Sequence, residues 1–161
     1  GRRFESRMKK ITPDFSHEYF KNKAISLIKT AVYAKDEREL PCYKGEALSP
    51  EMKDIIDLNY AGIFGLKDFK EENNTVTVEI SAYFDVLSVK DNKVQSTHPV
   101  LNATFKRRTD IPINFNFSVT KIMCPTCGKS FNAMKNKICP GCGNEYELLS
   151  DDWVLTDLKK L

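Results

Sequence analysis

Residues 76–86 read VTVEISAYFDV, and this stretch decides the fold class of the 161-residue chain. Apolar side chains alternate with mostly polar ones along it, which is typical of a long β-strand with one buried face. The dipeptide Asp91-Asn92 predicts a turn after this strand. Related patterns predict three further strands, over residues 100–106, 113–123 and 153–158.

Upstream of this stretch the apolar residues recur at helical spacing. Ser16 is suited to cap a helix, and the pattern predicts that helix over residues 16–34 and a short helical turn over residues 36–43. Ser49-Pro50-Glu51 predicts the start of another helix, because a cap, a proline and an acid follow in that order. Helices followed by an antiparallel sheet predict an α+β domain. The apolar stripe of the second helix would comprise Met52, Ile55, Ile56, Asn59 and Ile63.

Two Cys-x-x-Cys pairs stand late in the chain, in Cys124-Pro-Thr-Cys127-Gly and Cys139-Pro-Gly-Cys142-Gly. Two residues between thiols let a tight turn direct both sulfurs to one ion, and the following glycine permits the left-handed conformation that turns the loop back. Together the pairs supply the four ligands of a closed tetrahedral Zn²⁺ site, which leaves no position for a substrate. Iron, or a redox dithiol pair, is the alternative for the same residues.

The cysteine spacing therefore predicts a structural zinc ribbon over residues 121–147, inserted in the last β-hairpin of a domain that covers residues 12–161. Paired cysteines of this kind indicate a reducing compartment. The charges around the ribbon argue against nucleic-acid binding, because Glu145, Glu147 and the zinc–thiolate centre balance its four lysines. Those lysines are Lys121, Lys129, Lys135 and Lys137.

The positive charge of the chain is concentrated at its N-terminus. Residues 1–10 carry a net charge of +4, whereas the whole chain carries +3, so the rest is mildly acidic. No run approaches the roughly 18 consecutive apolar residues of a membrane span, and no signal-peptide pattern is present. The reducing compartment that the cysteine pairs indicate and the basic N-terminus together lead us to expect the chain on the cytoplasmic side of a membrane, either peripheral or anchored by a segment outside it.

Residues 1–11 are predicted to be a basic tail or linker. Phe4, Met8 and Ile11 would share one face of a helix with cations on the other, which is the composition of a segment that lies on an anionic membrane. Such a short helix is marginal in water and would form on docking, and a disordered chain end is the alternative. The predicted membrane-contact residues are Arg2, Arg3, Phe4, Arg7, Met8, Lys9 and Lys10.

Catalytic chemistry has little support in the sequence. Cys42 stands apart from the other cysteines and is interpreted as a buried structural residue. An enzyme would need an acid and a histidine that converge in a cavity, and Asp85 and His98 are the candidates for that pair. No phosphate-binding loop, metalloprotease motif or nucleophile elbow is present. The sequence therefore predicts a protein that is not an enzyme.

The layout of three segments resembles a known family. The segments are PDFSHEYF at residues 13–20, Ala34-Lys35-Asp36 before a short helix, and Asp152-Trp153-Val154-Leu155 near the end. Over roughly residues 12–161 the chain is similar to the Tim-forty-four-like family, which comprises the C-terminal domain of the anchor subunit of the mitochondrial import motor and its bacterial relatives. Some bacterial members carry a zinc ribbon before such a Trp-Val-Leu strand, whereas the mitochondrial form lacks it.

The resemblance implies a nuclear-transport-factor-two-like fold, in which helices and a curved antiparallel sheet form a cystatin-like cone around an apolar cavity. It also implies a non-enzymatic, membrane-associated role in protein transport, with a protein, an anionic membrane surface or a second copy of the chain as partner. An enzyme that uses the cavity is the alternative, followed by a nucleic-acid binder that uses the ribbon. The cavity wall would come from Phe84, Phe105, Phe115, Phe117 and Trp153, for which ordinary core packing is the alternative.

Overall fold

The computed structural model describes residues 2–11, 13, 15–111, 117–118, 120–148 and 152–161. The helices are α1 (Arg2–Ile11), α2 (His17–Tyr33) and the single turn α3 (Pro50–Lys53), with a 3₁₀ turn at Glu37–Glu39. The strands are β1 (Ile55–Glu72), β2 (Thr75–Lys90), β3 (Lys93–Thr97), β4 (Val100–Arg108), β5 (Ile122–Met123), β6 (Ser130–Phe131) and β7 (Val154–Lys160). None of the helices in these ranges is long and apolar enough to cross a membrane.

The main sheet is antiparallel, in the order β1-β2-β4-β7. Strand β3 pairs with residues 86–90 in the C-terminal half of β2, which we call its distal half; the N-terminal half is the proximal half. Strand β2 has the predicted alternation, since its even-numbered side chains from Val76 to Val86 are buried. Asp91 and Asn92 both have positive φ, 53° and 62°, and connect β2 to β3 in a two-residue turn. The α+β class, with helices and an antiparallel sheet, is confirmed.

Helix α2 confirms the first predicted helix. The Ser16 hydroxyl accepts a hydrogen bond from the Tyr19 N–H at 3.3 Å, which satisfies a donor that the first turn leaves free. Its buried side chains contact β1 and β7, so the helix lies on the face of the sheet that carries the core. We call this the inner face, and the opposite face the outer face.

The predicted second helix is wrong beyond its first turn. Ser49 caps α3 as expected, but residues 55–72 form the long strand β1. Ile56 and Ile63, two members of the predicted helical stripe, are more than half exposed. Irregularities in the β1–β2 register, between Tyr60 and Phe64 and between Leu66 and Asp68, break the period of two and hide it in the sequence.

The predicted basic tail is helix α1, and its apolar side belongs to the core. Phe4 and Met8 are buried, and the Phe4 ring lies 5.5 Å from Phe15, 6.2 Å from Phe20 and 5.7 Å from Phe69, between ring centroids. The expectation that Phe4 and Met8 face a membrane is therefore corrected. Burial against aromatic side chains stabilises a helix too short to persist alone.

Of the predicted strand over residues 113–123, residues 113–116 and 119 lie outside the described residues, and residues 117, 118, 120 and 121 are not in a strand. Its end, β5, pairs with β6 and not with the main sheet. Strand β7 lies next to β4, so the segment that carries the two cysteine pairs connects neighbouring antiparallel strands.

Candidate metal centre

The two Cys-x-x-Cys loops have the same backbone hydrogen bonds. In the first loop the Gly128 N–H donates to the Cys124 carbonyl at 2.8 Å, and the Cys124 N–H donates to the Lys129 carbonyl at 2.9 Å. In the second, the Gly143 N–H donates to the Cys139 carbonyl and the Cys139 N–H to the Asn144 carbonyl, both at 2.9 Å. Both loops therefore present their thiols in the same way.

Three glycines shape these loops for two different reasons. Gly128 and Gly143 have φ of +76° and +79°, the left-handed conformation that the sequence predicted for them. Gly141 allows close packing, because a Cβ there would lie 2.8 Å from Lys129 Cδ and 3.2 Å from Cys127 Sγ. The side chain of Lys129 thus lies over the second loop, close to the thiols.

The four sulfurs converge on one point. All four Sγ atoms lie within 4.8 Å of one another, with Cys124–Cys142 at 3.7 Å and Cys127–Cys139 at 3.6 Å. Tetrahedral zinc with Zn–S bonds of about 2.3 Å needs sulfurs about 3.8 Å apart. We call Cys124, Cys127, Cys139 and Cys142 the four-cysteine cluster, and its geometry suits a tetrahedral metal ion. Within the described ranges it is the one group of three or more His, Cys, Asp or Glu with this capacity.

The electrostatics of the cluster favour a bound cation. The N–H groups of Cys127 and Thr126 lower the pKa of the Cys124 thiol to about 6. The N–H of Asn144 acts in the same direction on Cys142, but partial desolvation and the neighbouring thiols outweigh it and raise that pKa to about 11. Several thiolates in one place repel each other, and a metal cation removes this repulsion.

The buried part of the cluster belongs to the same apolar core as the rest of the domain. Cys124 and Cys139 are buried, whereas Cys127 and Cys142 are exposed. Phe131 and Tyr146 pack edge to face with ring centroids 6.0 Å apart. Two surface contacts join this segment to the region before β1. They are an ion pair between Lys44 and Glu147 and a hydrogen bond that Lys137 donates to the Arg38 carbonyl.

Three of the five predicted cavity residues lie in the packed core. Phe84, Phe105 and Trp153 are fully buried, and Phe20 packs against Phe105 and Trp153 with ring centroids 5.8 and 4.7 Å apart. Phe117 is half-buried at a surface groove beside the cluster, and Phe115 lies outside the described residues. A groove of about 630 Å³ lies elsewhere, between α3 and the β2–β3 hairpin, and its lining includes Met52, Val86, Ser88 and Thr97.

Asp85 and His98 do meet, with 2.7 Å between Asp85 Oδ1 and His98 Nδ1. Their side chains are 59% and 72% exposed, respectively, so the pair lies on the open surface and not in a cavity. Without a pocket to exclude water and hold a substrate, this pair lacks the surroundings of a catalytic acid and base.

The predicted membrane-contact residues separate into two groups. Phe4 and Met8 are in the core, whereas Arg3, Arg7, Lys9 and Lys10 are exposed. The Arg7 guanidinium carbon lies 4.1 Å from the centroid of the Phe69 ring, and Lys9 pairs with Glu5 at 3.5 Å. The side chain of Arg2 lies outside the described part.

Two buried carboxylates were missed by the sequence analysis. Asp152 is 3% exposed and accepts hydrogen bonds from the Tyr19 hydroxyl at 3.2 Å and the Trp153 N–H at 2.8 Å. It also pairs with Lys23 at 2.7 Å. Glu37 is likewise buried and accepts from the Leu48 N–H at 2.6 Å. The available signal for the burial of Asp152 was its position directly before Trp153 in the sequence.

The prediction that Cys42 is buried is confirmed, and burial raises the pKa of its thiol to about 11. We expect that native protein, alkylated with iodoacetamide at pH 8, leaves Cys42 unmodified, because the thiolate is the reacting form. Peptide mass spectrometry of native and urea-unfolded samples measures this directly. Modification of Cys42 at equal rates in both samples would contradict its burial.

Comparisons with protein-family models, with curated proteins and with solved structures give no match.

Proposed function

We propose that this chain is a non-enzymatic binding module of the Tim-forty-four-like type, with a structural Zn²⁺ in the four-cysteine cluster. The observation that carries the proposal is the closed set of four sulfurs, all within 4.8 Å of one another. A metal held by four protein ligands has no open position for a substrate or a water, so it stabilises structure and does not catalyse.

Zinc is the ion that best suits this ligand set. Four thiolates in a tetrahedral arrangement select zinc or iron. Zinc is redox-inactive and therefore suits a site with a purely structural role. In this proposal residues 121–147 form a zinc ribbon between the neighbouring strands β4 and β7. The inner face of the sheet and the helices on it would form the body of a nuclear-transport-factor-two-like cone.

We further propose that α1 directs the module to the cytoplasmic surface of an anionic membrane. Its apolar side is occupied by the core, so the contact would be electrostatic and would not involve insertion. Arg7, Lys10 and Lys70 line a small groove together with Ile11, Phe69 and one acid, Glu71, and Arg3 is exposed on the same helix. Each Lys or Arg near an anionic surface contributes about 1 kcal/mol.

Charge reversal on this face tests the membrane contact. The triple variant R3E/K10E/K70E is expected to lower the affinity for liposomes with phosphatidylserine by roughly 100-fold, because three favourable charges are lost. Flotation with anionic and neutral liposomes measures it. The exposed positions keep the core intact, which removal of α1 would not.

The matched control is K35E/K93E/K106E, in which three exposed lysines elsewhere are reversed. It has the same net charge as R3E/K10E/K70E and is expected to float nearly as well as the unaltered chain. Equal loss in both variants would show that net charge, and not the α1 face, determines binding. Equal flotation with neutral liposomes would contradict the electrostatic contact.

A further inference from the structure

The outer face of the sheet changes character along β2. In the proximal half its outward residues are polar, from Thr75 to Ser81, whereas the distal half presents apolar side chains. Val94 of β3 lies opposite Val89 in the register and extends this surface to a second strand. The exposed fractions are 43% for Tyr83, 37% for Leu87, 36% for Val89 and 64% for Val94. We call these four residues the outer-face patch.

Two acidic residues lie beside the patch. Asp85 stands between Tyr83 and Leu87 on the same face of β2, and Asp57 of β1 lies opposite Leu87. Asp57 accepts a hydrogen bond from the Asn59 side chain at 2.7 Å, and Asp85 contacts His98. Across the described ranges, neither carboxylate forms a salt bridge with a lysine or an arginine.

The cations nearest in sequence point away from the patch. Lys90 lines the groove on the opposite side of the β2–β3 hairpin, and Lys93 is its partner in the register. Successive side chains of a strand alternate between faces, so both lysines belong to the inner side. In the proximal half of the sheet, by contrast, Glu79 has a lysine partner in Lys67, at 3.7 Å.

We propose that the outer-face patch binds an amphipathic, cationic segment of a partner protein. Leucine-like side chains of that segment would cover Leu87, Val89 and Val94, while lysines or arginines reach the carboxylates of Asp57 and Asp85 with apolar stems along the patch. From position 83 to position 89 the strand extends about 20 Å, which matches about four turns of helix. The inference rests on the proposed function as a binding module and names the chemistry of its protein partner.

Charge also distinguishes this partner from the other candidates. A second copy docked through the same face by twofold symmetry would bring four carboxylates into one interface, which is unfavourable. An anionic membrane would be repelled by Asp57 and Asp85. Because the chain as a whole carries a net charge of +3, attraction of a cationic peptide must come from a local acidic surface.

The test uses a fluorescent 14-residue peptide of leucine and lysine in amphipathic helical order, and a matched peptide in which glutamate replaces lysine. Fluorescence anisotropy with the full chain is expected to show binding of the lysine peptide only. The variant D57N/D85N should weaken that binding roughly five- to tenfold, and L87S/V89T to a similar extent. The control E79Q/D157N makes the same charge change outside the patch and should bind as the unaltered chain does.

Several results would overturn the inference. They are equal binding of both peptides, unchanged binding by D57N/D85N, or a dimer in sedimentation that L87S/V89T converts to a monomer. Flotation with anionic liposomes separates this inference from the proposed function. A chain that floats but ignores the lysine peptide contradicts the docking face alone, whereas a chain that binds the peptide but does not float contradicts the membrane contact alone.

Discussion

Replacement of Cys139 by serine is expected to abolish metal retention and unfold residues 121–147 while the helices and the main sheet persist. A serine hydroxyl remains protonated near neutral pH, so the cluster loses one of its four anionic ligands. Structural zinc contributes apparently about 10–16 kcal/mol to small metal-dependent folds. The β5–β6 hairpin, with two residues in each strand, contributes few backbone hydrogen bonds of its own.

Two measurements check this expectation on the same sample. Elemental analysis should give one equivalent of zinc in the unaltered chain and less than a tenth of that in C139S. Hydrogen exchange should show loss of protection at the N–H groups of Gly128 and Gly143, which close the two loops, and retention along α2 and β2. The surface ion pair between Lys44 and Glu147 contributes at most about 1 kcal/mol and should not hold the segment in place.

The control for C139S is Cys42→Ala, which removes a cysteine outside the four-cysteine cluster. We expect C42A to keep its zinc, although the core loses a sulfur and some stability. Loss of protection throughout C139S, including α2, would show that the cluster is integral to the whole domain. One equivalent of iron in place of zinc would change the assigned metal and leave the structural role intact.

The four-cysteine cluster was predictable from sequence because its chemistry is local. Two residues between thiols and a glycine after each pair define the loops without reference to the rest of the chain, and the structure brings the four sulfurs together as predicted. Strand β2 was predictable for a similar reason, since eleven residues alternate without interruption between Val76 and Val86. Such patterns carry their own structural signal.

Strand β1 was not predictable, because its pattern depends on the partner strand. Ser49 and Pro50 do begin a helix, but the chain gains more from pairing with β2 than from extending that helix. The register irregularities near Gly62 and Lys67 then shift the apolar residues out of a simple alternation. Tertiary pairing overrides local helix propensity when both are weak.

The placement of α1 likewise depends on a distant part of the chain. The sequence shows an apolar and a cationic side, and a membrane or the protein itself could cover the apolar one. Phe69 in β1 and Phe15 and Phe20 near α2 supply that cover. Because β1 was predicted as a helix, the sequence did not show that Phe69 would lie beside Phe15 and Phe20 and cover Phe4.

Replacement of Asp152 by alanine is expected to lower the free energy of unfolding by about 3–5 kcal/mol, the usual cost of removing one partner from a buried ion pair. The change removes the carboxylate that contacts the Lys23 ammonium, the Tyr19 hydroxyl and the Trp153 N–H. It also loosens the entry of the chain into β7, where Trp153 packs on Phe20. Urea unfolding followed by circular dichroism measures the change.

Two matched variants make the result specific to burial and charge. Asp157→Ala removes a carboxylate within β7. The Asp157 side chain is 54% exposed and pairs with Lys159 at 3.8 Å, so this change should alter the free energy of unfolding by less than about 0.5 kcal/mol. Asp152→Asn keeps an acceptor for Tyr19 and Trp153 but not the charge that Lys23 requires, so its effect should fall between the other two. If Asp152→Ala cost no more than Asp157→Ala, the carboxylate would not hold α2 to the start of β7, and apolar packing of Trp153 on Phe20 alone would account for that contact.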